Sequence, residues 1–300
     1  LELPEYLAEL EAESIYIFRE VAAQFERPIL MYSVGKDSSV LLRLAQKAFA
    51  PGRIPFPLVH IDTGFKFPEM YTFRDETAAK VGVDLRVYRN EAAIADKANP
   101  YDLGTQACCG FLKTGALLQA LQHFKTDAAI GGARREEERS RAKERVFSFR
   151  DRFGQWDPRN QRPELWQLYN GRVNQGESMR VFPLSNWTEF DVWLYVLCEQ
   201  IPVVPLYFAQ EREVIIRGDY IIPHIPGLVR PTASDRVEKM MCRFRSLGCV
   251  PCTGAIRSEA TTLEEIVEEM YSVRVSERAT RVIDHDSDAS MEKKKREGYF

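Results

Sequence analysis

Histidine is scarce in this chain, long apolar runs are absent, and charge of neither sign dominates. Four of the 300 residues are histidine. His60, His123, His224 and His285 have no metal-ligand spacing, and neither an HExxH motif nor a Ser-His-Asp pattern occurs. Zinc-peptidase and serine-hydrolase chemistry are therefore set aside. No apolar stretch approaches the roughly 20 residues of a membrane-spanning helix, so no membrane association is expected. The 41 Lys and Arg against 44 Asp and Glu leave a formal net charge of −3, which makes no case for nucleic acid or a charged lipid surface. Leu1 to Glu5 lacks the basic and apolar regions of a secretory leader. The six cysteines are accordingly expected as thiols in a reducing cytoplasm. A Walker loop, Gly-x4-Gly-Lys-Ser/Thr, is missing too: Leu30 stands where its first Gly belongs and Asp37 where Ser or Thr should follow the lysine.

The most informative stretch is Ser33-Val34-Gly35-Lys36-Asp37-Ser38. An apolar run, Pro28 to Tyr32, precedes it and reads as a short buried strand; Ser39 to Phe49 follows as an amphipathic helix. Strand, small-residue loop and helix N-terminus together make an anion site, because free amides and the positive end of the helix dipole point at the same place. Ser33 and Ser38 add hydroxyls, Gly35 admits close backbone approach, and Lys36 adds a point charge.

The pattern continues as alternating strands and helices. Helical spacing of Leu3, Leu7, Leu10, Ser14, Ile17, Val21 and Phe25 predicts a helix over 5–25, lying on the main domain. Strands are predicted at 28–33, 57–62, 84–88, 127–131 and 179–184, with helices at 38–49, 68–81, 111–123 and 189–199, the last capped by Thr188. This order implies an α/β fold: a mostly parallel twisted sheet with helices on both faces. Its functional edge is the carboxyl end of the strands, where the loop at 33–38 and the segments after Asp62 and Gly131 open. Residues 26–210 would form this nucleotide-binding domain, with 134–178 a long charged loop region and 211–300 a less regular C-terminal segment and tail. The tail, 284–300, has too little apolar content to fold alone.

Further candidates sit at the same edge. Asp62, ending the second strand, could bind a metal or a ribose hydroxyl, and Gly64 would let a nucleotide approach; a plain tight turn is the alternative. Gly131 and Gly132 followed by Arg134 and Arg135 suit an oxyanion, since guanidinium forks bind sulfate or phosphate oxygens in pairs. The mixed-sign run 136–145 reads instead as a solvated face. Cys108, Cys109, Cys249 and Cys252 could together hold zinc or an iron–sulfur cluster. Adjacent cysteines are not a usual ligand pair, however, and free buried cysteine is common in cores. Cys198 and Cys242 read as structural.

The loop at 33–38 resembles that of the PP-loop family, the adenine nucleotide α-hydrolase-like ATP pyrophosphatases. More specifically, the chain resembles the small-subunit (subunit 2) family of bacterial sulfate adenylyltransferases over nearly its whole length. The resemblance is carried by Ser33 to Ser38, Ile61 to Glu69, Leu112 to Thr114, Gly131 to Arg145, Val282 to Asp286, Met291 to Lys295 and Gly298 to Phe300. It implies adenylyl transfer from ATP to sulfate, giving adenylylsulfate and pyrophosphate in sulfate assimilation. It also implies Mg²⁺ with the nucleotide and a GTPase large subunit as heterodimer partner, with the tail as a docking segment. By the same resemblance Ser33, Gly35, Lys36, Asp37 and Ser38 would grip the pyrophosphate, with Asp62 and Gly64 beside the nucleotide. Lys36, Arg134 and Arg135 would carry the catalysis. The adenylylsulfate and phosphoadenylylsulfate reductases are similar at Asp62 to Gly64 and at Pro183 to Trp187. Some bind a [4Fe–4S] cluster through cysteine pairs like Cys108, Cys109, Cys249 and Cys252. They also need an attacking cysteine near the C-terminus, and no cysteine follows Cys252 here. Reduction is therefore the rival reading, and a non-catalytic nucleotide-binding regulatory subunit is another.

Overall fold

The computed structural model describes residues 2–137 and 141–272 together with Gly298. Helix α1 (Glu5–Gln24) buries Leu7, Ser14, Ile17 and Val21 at the predicted spacing, with Phe18 beside them. Strand β1 (Pro28–Met31) then enters helix α2 (Lys36–Phe49) through the small-residue loop. Strand β2 (Leu58–Ile61), helix α3 (Pro68–Val81) and strand β3 (Leu85–Tyr88) follow. Pro68 occupies the first turn of α3 and Gly82, at φ 70°, ends it in the left-handed conformation, so both helix boundaries are written in residue chemistry. After helices α4 (Glu91–Ala95) and α5 (Pro100–Cys109), a π-helical turn at Gly110–Gly115 leads into α6 (Ala116–His123). Strand β4 (Ala128–Ile130) comes next, then β5 (Phe147–Arg150), β6 (Ser178–Val181) and helix α7 (Glu189–Cys198). Thr188 caps α7 in a reciprocal box with Asp191.

These strands form one sheet in the order β3-β2-β1-β4-β6-β5. Every pairing is parallel except β5 against β6. Leu30 of β1 is registered with both Leu58 of β2 and Ile130 of β4. The chain leaves β1 toward β2 and β3, then returns to lay β4 on the other side. The sheet therefore has its topological switch beside β1, where a crevice must open at the carboxyl ends of the strands. The main core packs Leu30, Leu58 and Ile130 with α1, α2 and α7, and a smaller cluster packs Ile29, Val59 and Ala129 under Leu117 and Leu121 of α6.

Two regions differ from the sequence-based expectation. The stretch 134–178 contains β5, whose four residues are all buried, registered with β6 at Phe149 and Met179. The charges in and around it hid it, because two of them, Glu144 and Arg150, are buried (below). Past residue 210, where the alternation fades as expected, a four-stranded antiparallel sheet takes over. It consists of β7 (Gln210–Arg217), β8 (Tyr220–Pro223), β9 (Arg236–Arg243) and β10 (Ile256–Arg257) in the order β10-β9-β7-β8. Helix α8 (Leu263–Ser272) returns to α7, with Tyr271 against Phe190 at 4.9 Å between ring centroids. Of the tail expected to dock a partner, only Gly298 lies within the described residues. Among the described residues, no helix is long and apolar enough to cross a membrane.

Candidate active site

The crevice at the switch point is a cleft of about 200 Å³. Its walls come from the loop after β1 (Ser33, Asp37, Ser38), the segments after β2 (Lys66) and β4 (Gly131, Gly132, Glu137), the π-turn (Lys113) and Arg141. Within the loop, Val34 is fully buried yet holds φ 67°. A β-branched residue resists that region, and such strain concentrates where a backbone must present its amides in a fixed direction. Ser38 Oγ donates to the Gly35 carbonyl at 2.9 Å and lies 3.3 Å from Ser33 Oγ. The Lys36 amide donates to the Tyr207 hydroxyl at 2.7 Å. Gly132 explains its own identity: a Cβ there would stand 2.9 Å from Asp37 Cβ.

The loop is held by a closed circuit of polar contacts. Lys36, 1% exposed, donates through Nζ to Asp37 at 3.3 Å and to the Arg245 carbonyl at 3.4 Å. The Arg245 guanidinium reaches Glu189 at 2.5 Å, and the Glu189 amide donates to Glu136 at 2.7 Å. Arg134 closes the circuit, with Nε on Asp37 at 2.8 Å and Nη1 on Glu136 at 3.1 Å. Arg134 is thus buried and turned onto carboxylates beside the loop. Arg135 points elsewhere, donating to Asn186 at 2.5 Å. The partners of both arginines in the structure are thus protein groups: Asp37 and Glu136 for Arg134, Asn186 for Arg135.

Of the two readings of Asp62, the structure displays the tight turn. The Asp62 side chain is fully buried, and both oxygens are engaged. Oδ1 accepts from the Gly64 amide and the Tyr71 hydroxyl, each at 2.8 Å, while Oδ2 accepts from Arg89. Burial alone would raise its pKa, but the Gly64 amide, Tyr71 and Arg89 together hold it below the ordinary carboxylate value. Asp62 therefore organises the turn, and Gly64 supplies the φ of 75° that the turn requires. On the same strand, His60 is buried with Nδ1 2.8 Å from the Tyr32 carbonyl and no hydrogen-bond partner for Nε2. Burial and then the Lys66 charge push it down to about 4.

Within the run 136–145, read from the sequence as a solvated face, Glu136, Lys143 and Arg145 are exposed as expected, but Arg141 and Glu144 are buried. Arg141 lines the cleft and bonds Glu144 at 3.1 Å. Glu144 is itself buried and accepts from Arg150 of β5 at 2.7 Å. Lys66, Lys113 and Arg141 are the cleft-lining cations the sequence reasoning did not select. Lys66 follows a strand end, a placement that could have marked it; Lys113 sits within the π-turn, and Arg141 was discounted because its neighbours alternate in sign.

All four cysteines of interest come together. Cys108, Cys109, Cys249 and Cys252 line one cavity of about 50 Å³, which shares Lys113 with the cleft. Cys249 Sγ is 3.1 Å from Thr63 Oγ1. Burial, then the neighbouring thiols, push Cys108 and Cys252 up to about 12. Among the described residues, no group of three or more His, Cys, Asp or Glu side chains is placed to hold a metal ion.

Comparison with known proteins agrees with this architecture. Residues 27–255 match the phosphoadenosine phosphosulfate reductase domain family. The chain is 60% identical over 295 residues to sulfate adenylyltransferase subunit 2 of Myxococcus xanthus, covering 98% of this chain and 97% of that one. It is 59% identical over 299 residues to the protein of the same name from Parabacteroides distasonis, covering 98% of each. Among solved structures, Candida glabrata FMN adenylyltransferase in complex with ATP shares the fold, with a TM-score of 0.51 at 16% identity over 92% of this chain and 88% of that one. At that identity the likeness speaks for the fold alone. Identity of this order over nearly the full length places the chain in the sulfate adenylyltransferase subunit 2 family.

Proposed function

We infer that this chain transfers the adenylyl group of ATP to sulfate, giving adenylylsulfate and pyrophosphate. The observation that carries the reading is the strained loop at 33–38, fixed at the switch point of the sheet by the Lys36–Asp37–Arg134 contacts. A sulfate oxygen attacks the α-phosphorus, and the bond to pyrophosphate breaks with its electron pair leaving on pyrophosphate. Sulfate is already a dianion, so no general base is needed, and the protein's contribution is positioning and charge stabilisation. Ser33, Gly35, Asp37 and Ser38, with Lys36, receive the pyrophosphate. Asp62 and Gly64 shape the turn beside the nucleotide. Arg134 acts by aiming Asp37, and Arg135 by fixing the Asn186 corner.

Mg²⁺ would be bound together with the nucleotide. The cleft carboxylates Asp37 and Glu137 form no cage of their own, and Asp37 is already bonded to Lys36 and Arg134. Asp37 and Glu137 are the carboxylates beside which the ion would be held, and it would supply charge neutralisation at the phosphates. The four clustered cysteines are assigned as structural thiols, in keeping with the raised pKa of Cys108 and Cys252. Stoichiometric iron in anaerobically purified protein would overturn that assignment. The phosphosulfate anhydride lies uphill, so a partner must drive the reaction; we assign a GTPase large subunit, a cytoplasmic complex, and the segment 211–300 as its docking region.

The test is pyrophosphate release from Mg-ATP with molybdate in place of sulfate, for the chain alone and with its partner subunit. Molybdate forms an unstable adenylate whose hydrolysis removes the unfavourable equilibrium. Oxyanion-dependent release supports adenylyl transfer. Thiol-dependent sulfite release from adenylylsulfate would favour the reductase reading, which the clustered thiols keep as the second choice.

A further inference from the structure

We propose that Arg141 is the residue that grips the attacking oxyanion, and that Glu144 is the positioning residue that aims it. This deepens the adenylyl-transfer reading and rests on it. Among the described residues lining the cleft, the cations are Lys66, Lys113 and Arg141. An ammonium is a point charge, whereas a guanidinium presents parallel N–H groups that match two oxygens of a tetrahedral oxyanion. Arg141 is therefore the cleft cation best suited to sort sulfate from other anions. It also comes from a different element than the pyrophosphate loop, so gripping the nucleophile and the leaving group falls to separate parts of the fold.

The setting of Arg141 is built, not incidental. Its side chain is almost wholly buried, in the short helical turn Arg141–Lys143. Nη1 donates to Glu144 Oε2 at 3.1 Å, and the guanidinium lies 5.9 Å from the centroid of the Phe182 ring. Glu144 is fixed from the other side. Its Oε1 accepts from Arg150 Nη2 at 2.7 Å and from Ser148 Oγ at 3.2 Å, and Arg150 Nη1 reaches Ser148 Oγ at 2.6 Å. Ser148 and Arg150 belong to β5, whose register with β6 is set by four paired residues. The orientation of Arg141 is thus referred through Glu144 to the sheet itself, which is the support a precise anion contact needs. A solvated charged face, the ordinary fate of such a run, would show none of this.

The step is the one already balanced above; Arg141 adds no proton transfer to it. It neutralises part of the sulfate charge and holds one oxygen free to attack.

The test uses the chain with its partner subunit and compares R141A, R141K, E144Q and E144D with the unsubstituted complex. Oxyanion-dependent pyrophosphate release is measured with sulfate and with molybdate, and ATP affinity is measured separately without oxyanion. R141A should lower kcat/KM for the oxyanion on the order of 10²–10³-fold, with ATP affinity within about threefold. R141K, keeping the charge but losing the fork, should recover only part of the loss. E144Q should raise the oxyanion KM about tenfold, and E144D, which keeps the carboxylate, should restore much of it. The ratio of sulfate to molybdate efficiency should change in R141K, which a merely structural role would not produce. ATP affinity falling in step with oxyanion efficiency would reassign Arg141 to the nucleotide phosphates and overturn the proposal. So would R141K and E144Q complexes with unchanged oxyanion kinetics. If R141A fails to fold, R141K and the near-isosteric E144Q still decide. Absence of oxyanion-dependent release in the unsubstituted complex would instead refute the adenylyl-transfer reading itself.

Discussion

Gly132→Ala is the smallest change that tests whether the loop must sit where it does. The added Cβ would stand 2.9 Å from Asp37 Cβ and 3.4 Å from the Asp37 carbonyl carbon. Carbon atoms settle at about 3.5–4.0 Å, so one backbone must retreat by on the order of 0.5–1 Å. Neither retreats easily. Gly132 follows β4, which is paired on both sides, and Asp37 lies in the first turn of α2, whose buried face carries Val40, Leu41 and Leu44. Overpacking of this kind costs about 1–3 kcal/mol. A displacement near 1 Å at a reacting site costs on the order of 10² in rate. Gly52→Ala is the matched control. Its Cβ would meet the Phe49 carbonyl oxygen at 3.0 Å, beyond the opposite end of α2. Both variants should melt lower, but only Gly132→Ala should lose turnover in the molybdate assay, by about a hundredfold. If Gly132→Ala turns over within threefold of the unsubstituted chain, or if Gly52→Ala loses as much, the loop is not the positioned element argued above.

Other consequences follow from the same geometry. His60, at about 4 in the folded chain against its ordinary 6.5, resists a proton that the unfolded chain accepts. Its neutral form is no liability above pH 6.5, and stability falls as pH drops from there toward 4, by up to about 3 kcal/mol. His60→Gln should flatten that slope in urea unfolding between pH 4 and 7.5, and parallel profiles would count against the assignment. Asp62→Asn should destabilise the fold by about 2–3 kcal/mol, because Arg89 and Tyr71 lose a buried charged acceptor, and should raise the ATP KM; unchanged unfolding would contradict the turn-organising role. Arg134→Lys cannot span Asp37 and Glu136 with one ammonium, so about 1–3 kcal/mol of stability should be lost, with kcat falling more than either KM. A chain truncated after Ser272 should fold and fail to copurify with the partner subunit; retained copurification would remove the tail from the docking region.

What could be read in the residues was whatever local chemistry writes down. The alternation from Pro28 to Ile130 gave the parallel sheet, because buried strands are apolar runs and their helices carry recognisable ends such as Pro68, Gly82 and Thr188. The loop at 33–38 was legible for the same reason: anion binding by amides needs small residues between a strand and a helix. The side-chain partners were not legible, because they are long-range. Arg134 reads in the sequence as an oxyanion contact, and its partner Asp37 lies 97 positions away in the chain. Arg141 was discounted because alternating charges usually mean a solvated helix. Here Glu144 answers Arg141 three positions away and Arg150 six away, so the charges satisfy one another inside the fold rather than in water. That choice is made by β5: once Phe147 and Phe149 are drawn into the core against β6, Glu144 and Arg150 must follow them in, and burial without a partner would be too costly for either. The sequence pattern of a charged surface and of a buried charge network is the same. Only the aromatic pair two residues apart, within an otherwise polar stretch, marks the difference.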